Sequence, residues 1–103
     1  MLPKNNNEKE LRKLSILSCQ KLITAYEKGK LREYIGEEAM SIHRDDDNDI
    51  THIVFTKGGP FVYLDFDEQP GLIIAKDFDT KAHSAMPWSI WLEIRNELEE
   101  IYE

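Results

Sequence analysis

A second cysteine is missing from this chain. Cys19 stands alone among 103 residues, so no internal disulfide can form, and a reducing, cytoplasmic location is the expectation. Long apolar runs are missing too. No stretch approaches the roughly 18 apolar residues of a membrane span. The opening MLPKNNNEKE has no apolar segment of the secretory kind, so neither a signal nor a membrane partner is expected. Glycine and proline are scarce, at five and four, which excludes collagen-like and low-complexity chains. With 41% hydrophobic residues, the chain reads as one globular domain, residues 8–103, behind a flexible start, residues 1–7.

Catalytic signatures are equally sparse. No HExxH, paired CxxC, GxxxxGK[ST] or GxGxxG is present, so the common zinc, phosphate and dinucleotide sites have no anchor here. Cys19 has no histidine near it in sequence and reads as a small packing residue. No catalytic residue and no cofactor are expected.

What the chain does have is acid, unevenly spread. The first 36 residues hold eight Lys and Arg against four Glu. Residues 37–103 hold five against sixteen Asp and Glu, so +4 and −11 make up the net −7. An acidic body repels a phosphate backbone, which argues against direct nucleic-acid binding and for a protein partner with a basic surface. The basic start is suited to an acidic surface, including that of a second copy in a homodimer.

Hydrophobic spacing predicts a helix from about Glu8 to Lys28, with Leu11, Leu14, Ser18, Leu22, Ala25 and Tyr26 on one face. Gly29 follows at a left-handed C-cap position. The segment LREYI predicts a short helical piece stopped by Gly36. The centre of the long helix's buried face is small (Ser15, Ser18, Ala25), which predicts that it lies flat on a sheet. From about Ala39 the period falls to two. AMSIH, ITHIVFT, FVYLDF and LIIAKDF read as four strands, joined by RDDDND, KGGP and DEQPG. Joints this short make antiparallel hairpins. Pro87 then opens a C-terminal helix on whose wide apolar face Trp88 and Trp91 read as core residues. The order α-ββββ-α predicts an α+β fold: an N-terminal helix, a four-stranded antiparallel sheet and a C-terminal helix, with both helices on one sheet face in a two-layer sandwich. In order of elements and in acidity alone the chain resembles frataxin-like proteins. Their acidic ridge lies on the first helix, which is basic here, so no residue carries over.

A strand register follows from pattern. With Asp45 opposite Ile50, Ile42 meets Ile53 and Met40 meets Phe55 on an apolar face, while His43 meets His52 on the other. A four-residue loop at KGGP sets Phe55 opposite Val62, Ile53 opposite Leu64, Val54 opposite Tyr63 and His52 opposite Asp65. LIIA is apolar on both faces, so its register stays open.

Two constellations emerge. His43, His52 and Asp65 form a row across three strands, a donor set that would suit zinc or iron(II) in a metal-dependent enzyme. Asp45, Asp46, Asp47 and Asp49 in one turn, with Asp67 and Glu68 in another, fall at the same sheet end. Asp45-x-Asp47-x-Asp49 copies the opening of an EF-hand loop, but Ile50 replaces its glycine and Thr56 its glutamate. Such clustered carboxylates steer a basic partner toward the surface. The expected partner-binding residues are Asp45, Asp46, Asp47, Asp49, Asp67, Glu68, Phe61 and Tyr63. The expected function is a small acidic protein-binding module, a regulator, inhibitor or immunity-type antagonist. The alternatives are the metal enzyme and a nucleic-acid mimic that occupies a basic enzyme surface.

Overall fold

The computed structural model describes residues 3–56 and 60–101. It is an α+β fold with an N-terminal helix, an antiparallel sheet and a C-terminal helix. Helix α1 spans Pro3–Glu27 and α2 Leu31–Glu38. Strands β1 (Ser41–Arg44), β2 (Ile50–Thr56), β3 (Phe61–Asp65), β4 (Leu72–Asp77) and β5 (Thr80–Ala85) follow, then α3 (Trp88–Ile101). The strands pair in chain order as an antiparallel meander.

Among the described residues, five strands replace the expected four. The missed one, β5, reads TKAHSA, a run of small and polar residues with weak strand preference. Its core-facing positions are Ala82 and Ser84, and α1 lies across β4 and β5. Small residues on both sides, with Ser15 and Cys19 buried on α1, let the helix approach closely. The Ser15 hydroxyl donates back to the Arg12 carbonyl at 2.8 Å, so its burial leaves no unmet donor.

Helix ends follow local chemistry. Gly29 has φ +71. Its N–H donates to the Tyr26 carbonyl and the Lys30 N–H to the Ala25 carbonyl at 2.8 Å, the paired bonds of a Schellman cap. Helix α1 begins at Pro3, earlier than the expected Glu8. Helix α2 runs through Gly36 instead of stopping there and ends at Glu38, with the Ala39 N–H on the Ile35 carbonyl. Pro87 supplies the carbonyl that accepts from the Trp91 N–H, so it stands just before α3.

One core cluster takes in residues of α1, α2, α3 and the strands. Leu11, Cys19 and Leu22 of α1, Leu31 and Ile35 of α2, and Trp91, Ile94 and Leu98 of α3 cluster with Ile53, Val62, Leu64, Ile73, Ala75 and Ala82 of the strands. The cross-strand row Ile42–Ile53–Leu64–Ile73–Ser84 brings Ile53, Leu64 and Ile73 into this cluster. Two residues expected inside are not. Trp88, in the first turn of α3, is 59% exposed, and Met40, just before β1, is 60% exposed.

The register matches the pattern at Ile42–Ile53, His43–His52, Ser41–Val54, His52–Asp65, Ile53–Leu64 and Val54–Tyr63. It departs at both ends of β2. Arg44, not Asp45, faces Ile50, and Thr56, not Phe55, faces Val62, each across a one-residue irregularity. The expected turn at Lys57–Gly59 lies outside the described residues. On β4, Ile73 and Ala75 face the core and Ile74 the opposite face, where it is also buried. The double-sided apolar pattern of LIIA is therefore that of an internal strand. No helix among the described residues is long and apolar enough to cross a membrane.

Candidate functional site

The sheet face opposite the core carries the chemistry. Its central row is Ser41–Val54–Tyr63–Ile74–His83. Val54 and Ile74 in that row are buried outside the main core cluster. An aromatic chain crosses the face. The His43 and His52 rings stack with centroids 4.3 Å apart and planes within 6°. His52 meets Tyr63 edge-on at 5.6 Å, and Tyr63 meets Phe61 at 5.1 Å.

The His43–His52–Asp65 row exists as a register, and the structure shows how each member is engaged. The Thr51 hydroxyl donates to the His43 carbonyl at 3.2 Å and lies 3.2 Å from His52 Nδ1. With its one proton on the carbonyl, the hydroxyl accepts from an Nδ1–H, which leaves the lone pair of neutral His52 on Nε2. His43 Nε2 lies 3.0 Å from the Ser41 hydroxyl. Burial first, then the neighbouring His43, lowers the pKa of His52 from its ordinary 6.5, with Asp65 opposing.

Asp65 is 8% exposed and organises the β3–β4 loop. Its Oδ1 accepts the Asp67 N–H at 2.9 Å, its Oδ2 the Gln69 N–H at 3.2 Å, and its carbonyl the Gly71 N–H at 2.9 Å. Two near-parallel imidazoles aim their lone pairs along parallel planes, while the carboxylate faces loop amides. Among the described residues, the set of three or more ligand-type side chains whose ligand atoms all lie within 4.8 Å of one another is Asp45, Asp47 and Asp49.

Those three occupy the β1–β2 turn, and all are exposed. Asp45 Oδ1 accepts the N–H groups of Asp47 (2.9 Å) and Asp49 (3.0 Å), so the carboxylate shapes its own turn. Asn48 takes φ 70, a conformation asparagine tolerates well. Arg44 Nη1 donates to the Asn48 carbonyl at 2.9 Å. Asp47 and Asp49 line a cleft of about 440 Å³ that also takes in Asn96, Glu99 and Glu100 of α3. Asp46 is exposed on the same turn.

A second concavity, of about 260 Å³, opens on the sheet face. His52, Phe61 and Tyr63 form its aromatic part and Asp65, Asp67 and Glu68 its acidic part, with Thr51 beside them. Burial, then the charges of Asp65 and Glu68, raises the Tyr63 pKa above its ordinary 10. Thus four expected partner-binding residues, Phe61, Tyr63, Asp67 and Glu68, share one concavity with two members of the histidine–aspartate row. Asp47 and Asp49 of the β1–β2 turn line the other cleft, at the same sheet end. Sequence reasoning did not foresee the role of Asp65 as loop organiser. An aspartate just before a turn whose N–H groups need acceptors was the available signal.

A third hollow, of about 460 Å³, lies between α1 and α2. Leu17, Ala25 and Tyr34 give it apolar surface, and Lys21, Lys28 and Lys30 surround them. Burial, then the charge of Glu38, pushes the Tyr34 pKa up to about 12. Compared with protein-family models, with curated proteins and with solved structures, the chain matches none.

Proposed function

We propose that this chain is a protein-binding module, a regulator, inhibitor or immunity-type antagonist that works by contact with a basic protein. On this reading the helices form one layer and the sheet the other, and the contact surface is the sheet face they leave open. The observation that carries the reading is the concavity that joins Phe61 and Tyr63 to Asp67 and Glu68. Aromatic residues are favoured anchors at interfaces, and rim carboxylates steer a basic partner. The strongly acidic body adds a long-range field of the same sign. A single buried thiol, Cys19, whose pKa burial raises and the Ser84 hydrogen bond partly restores, suits a reducing cytoplasm.

Affinity capture at low salt tests this, with the wild type beside Asp67→Asn/Glu68→Gln and Tyr63→Leu. Retained far-ultraviolet circular dichroism would establish that each variant is folded. The expected result is a partner released by raised salt and retained poorly by both variants. A partner held equally by all three proteins would place the contact elsewhere and remove the reading. If the partner itself binds nucleic acid, competition by a DNA duplex, together with loss on replacing Asp45, Asp47 and Asp49 by Asn, would single out the mimic.

A further inference from the structure

We infer that the concavity between His52, Phe61 and Tyr63 on one side and Asp65, Asp67 and Glu68 on the other receives one arginine side chain presented by the partner polypeptide. This rests on the reading of the chain as a protein-binding module and adds the chemistry of what enters it.

Size sets the first limit. At about 260 Å³ the space falls below the roughly 300–1,000 Å³ of small-molecule and cofactor sites. It suits a single side chain.

Chemistry sets the second. Carboxylates supply the charge, and among the described residues none that lines the space is a lysine or arginine. Asp65 is almost fully buried. Each of its oxygens accepts one loop N–H, and a carboxylate has about four acceptor positions, so it keeps acceptor capacity. Beside it stand the Tyr63 and Phe61 rings, tilted 44° to one another. An aromatic face attracts a cation through its quadrupole. The occupant is therefore a cation with a flat face and several donors. Guanidinium fits that description better than ammonium, because it stacks on rings, forks to carboxylates and sheds water more readily.

The surroundings favour a polypeptide over a free small cation. In a meander the β1–β2 and β3–β4 turns lie at the same sheet end. The exposed Asp45, Asp46, Asp47 and Asp49 thus lie at the same sheet end as the Asp67–Glu68 rim. A chain with further basic residues would meet this second acidic surface, whereas a small cation would use the concavity alone.

The test is a nuclear magnetic resonance titration of the full chain with three blocked tripeptides, Gly-Arg-Gly, Gly-Lys-Gly and Gly-citrulline-Gly. The expected result is saturable shifts at Thr51, His52, Tyr63, Asp67 and Glu68 with the arginine peptide. The lysine peptide should bind about tenfold more weakly, and the uncharged citrulline peptide should leave these signals in place. Asp67→Asn/Glu68→Gln, both exposed positions, should abolish saturation without unfolding the chain. Equal binding of the lysine and arginine peptides, or shifts confined to Asp45–Asp49, would overturn the arginine assignment. Guanidinium chloride at matched concentration and ionic strength is the control for a free cation, and saturation by it as tight as by the peptide would overturn the polypeptide source. If no tripeptide binds but a captured protein partner still requires Tyr63 and Glu68, the arginine pocket falls and the module reading stands. If neither is seen, both fall.

Discussion

A β-carbon on Gly71 would stand 2.9 Å from Cγ of Trp91 and 3.1 Å from its Cδ2. The indole is fully buried, and Phe66 meets it edge-on at 5.0 Å. Gly71 also has φ +88, a conformation that residues with a β-carbon adopt only under strain. The loop that lines the acidic side of the candidate pocket is therefore pressed directly onto the core residue of α3. Stability and site geometry meet at this contact.

Replacing Gly71 by alanine should cost about 2–4 kcal/mol, the sum of an overpacked core and a strained backbone. Urea unfolding followed by Trp91 fluorescence would measure it, in a Trp88→Phe background that removes the exposed indole. Combining Gly71→Ala with Trp91→Ala, which removes the ring that the added β-carbon would meet, should cost less than the sum of the two single changes when unfolding is followed by far-ultraviolet circular dichroism. Strict additivity of the two changes would show that the clash does not form.

Asp65 fixes the same loop from its other end. Its carboxylate accepts two loop N–H groups while nearly out of solvent. Asp65→Ala leaves both N–H groups without that acceptor and should destabilise the chain by about 1–3 kcal/mol. Hydrogen exchange at Asp67, Gln69 and Gly71 should rise more than exchange at Ile53 or Leu64 in the core row. Uniform acceleration across the sheet would mean that the loop has no cooperative unit of its own.

Much of this arrangement was legible in the alternation of residues. One-sided segments such as SIH and THI have a single register that hides their apolar members, so His43, His52 and Asp65 could be aligned before any fold was known. LIIA gave no such choice, because β4 is internal and buries Ile73 and Ile74 on opposite faces. TKAHSA was missed because β5 owes its place to α1 packed across it, and tertiary contact of that kind leaves little trace in local propensity. The concavity was half legible. Register brought His52 beside Asp65 and Val54 beside Tyr63. The fold of the 66–71 loop, which carries Asp67 and Glu68 to the rim, depends on hydrogen bonds to Asp65 that composition does not reveal.

The stacked histidines make stability depend on pH in a defined direction. His52 has a folded pKa below its ordinary 6.5, through burial and then through His43. The unfolded chain therefore binds the proton more readily, and ∂ΔG/∂pH is positive between the two values. The contribution is fully present above about pH 6.5, declines as pH falls through that window, and levels off below the folded pKa. Asp65 and Tyr63 of β3, and His43 of β1, are the charged or titratable groups that act on this ring or contact it. The His52 ring-proton titration should shift upward in His43→Gln, which removes the like charge. An unchanged midpoint would assign the whole effect to burial.

The tip of the last hairpin carries an avoidable cost. Asp77 pairs with Thr80, so Phe78 and Asp79 form a two-residue loop. Such loops favour glycine or asparagine where φ is positive, yet Phe78 has φ 53 and is 90% exposed. The ring gains nothing from the core and its β-carbon strains the turn. Phe78→Gly should therefore stabilise the chain, by about 0.5–1.5 kcal/mol after the added freedom of the unfolded glycine is counted. The urea midpoint should rise with the slope unchanged. A fall instead would mean that the ring is covered in solution. Since the cover would then come from a second copy, the wild-type midpoint should in that case rise with protein concentration, and that of the Phe78→Gly variant should not.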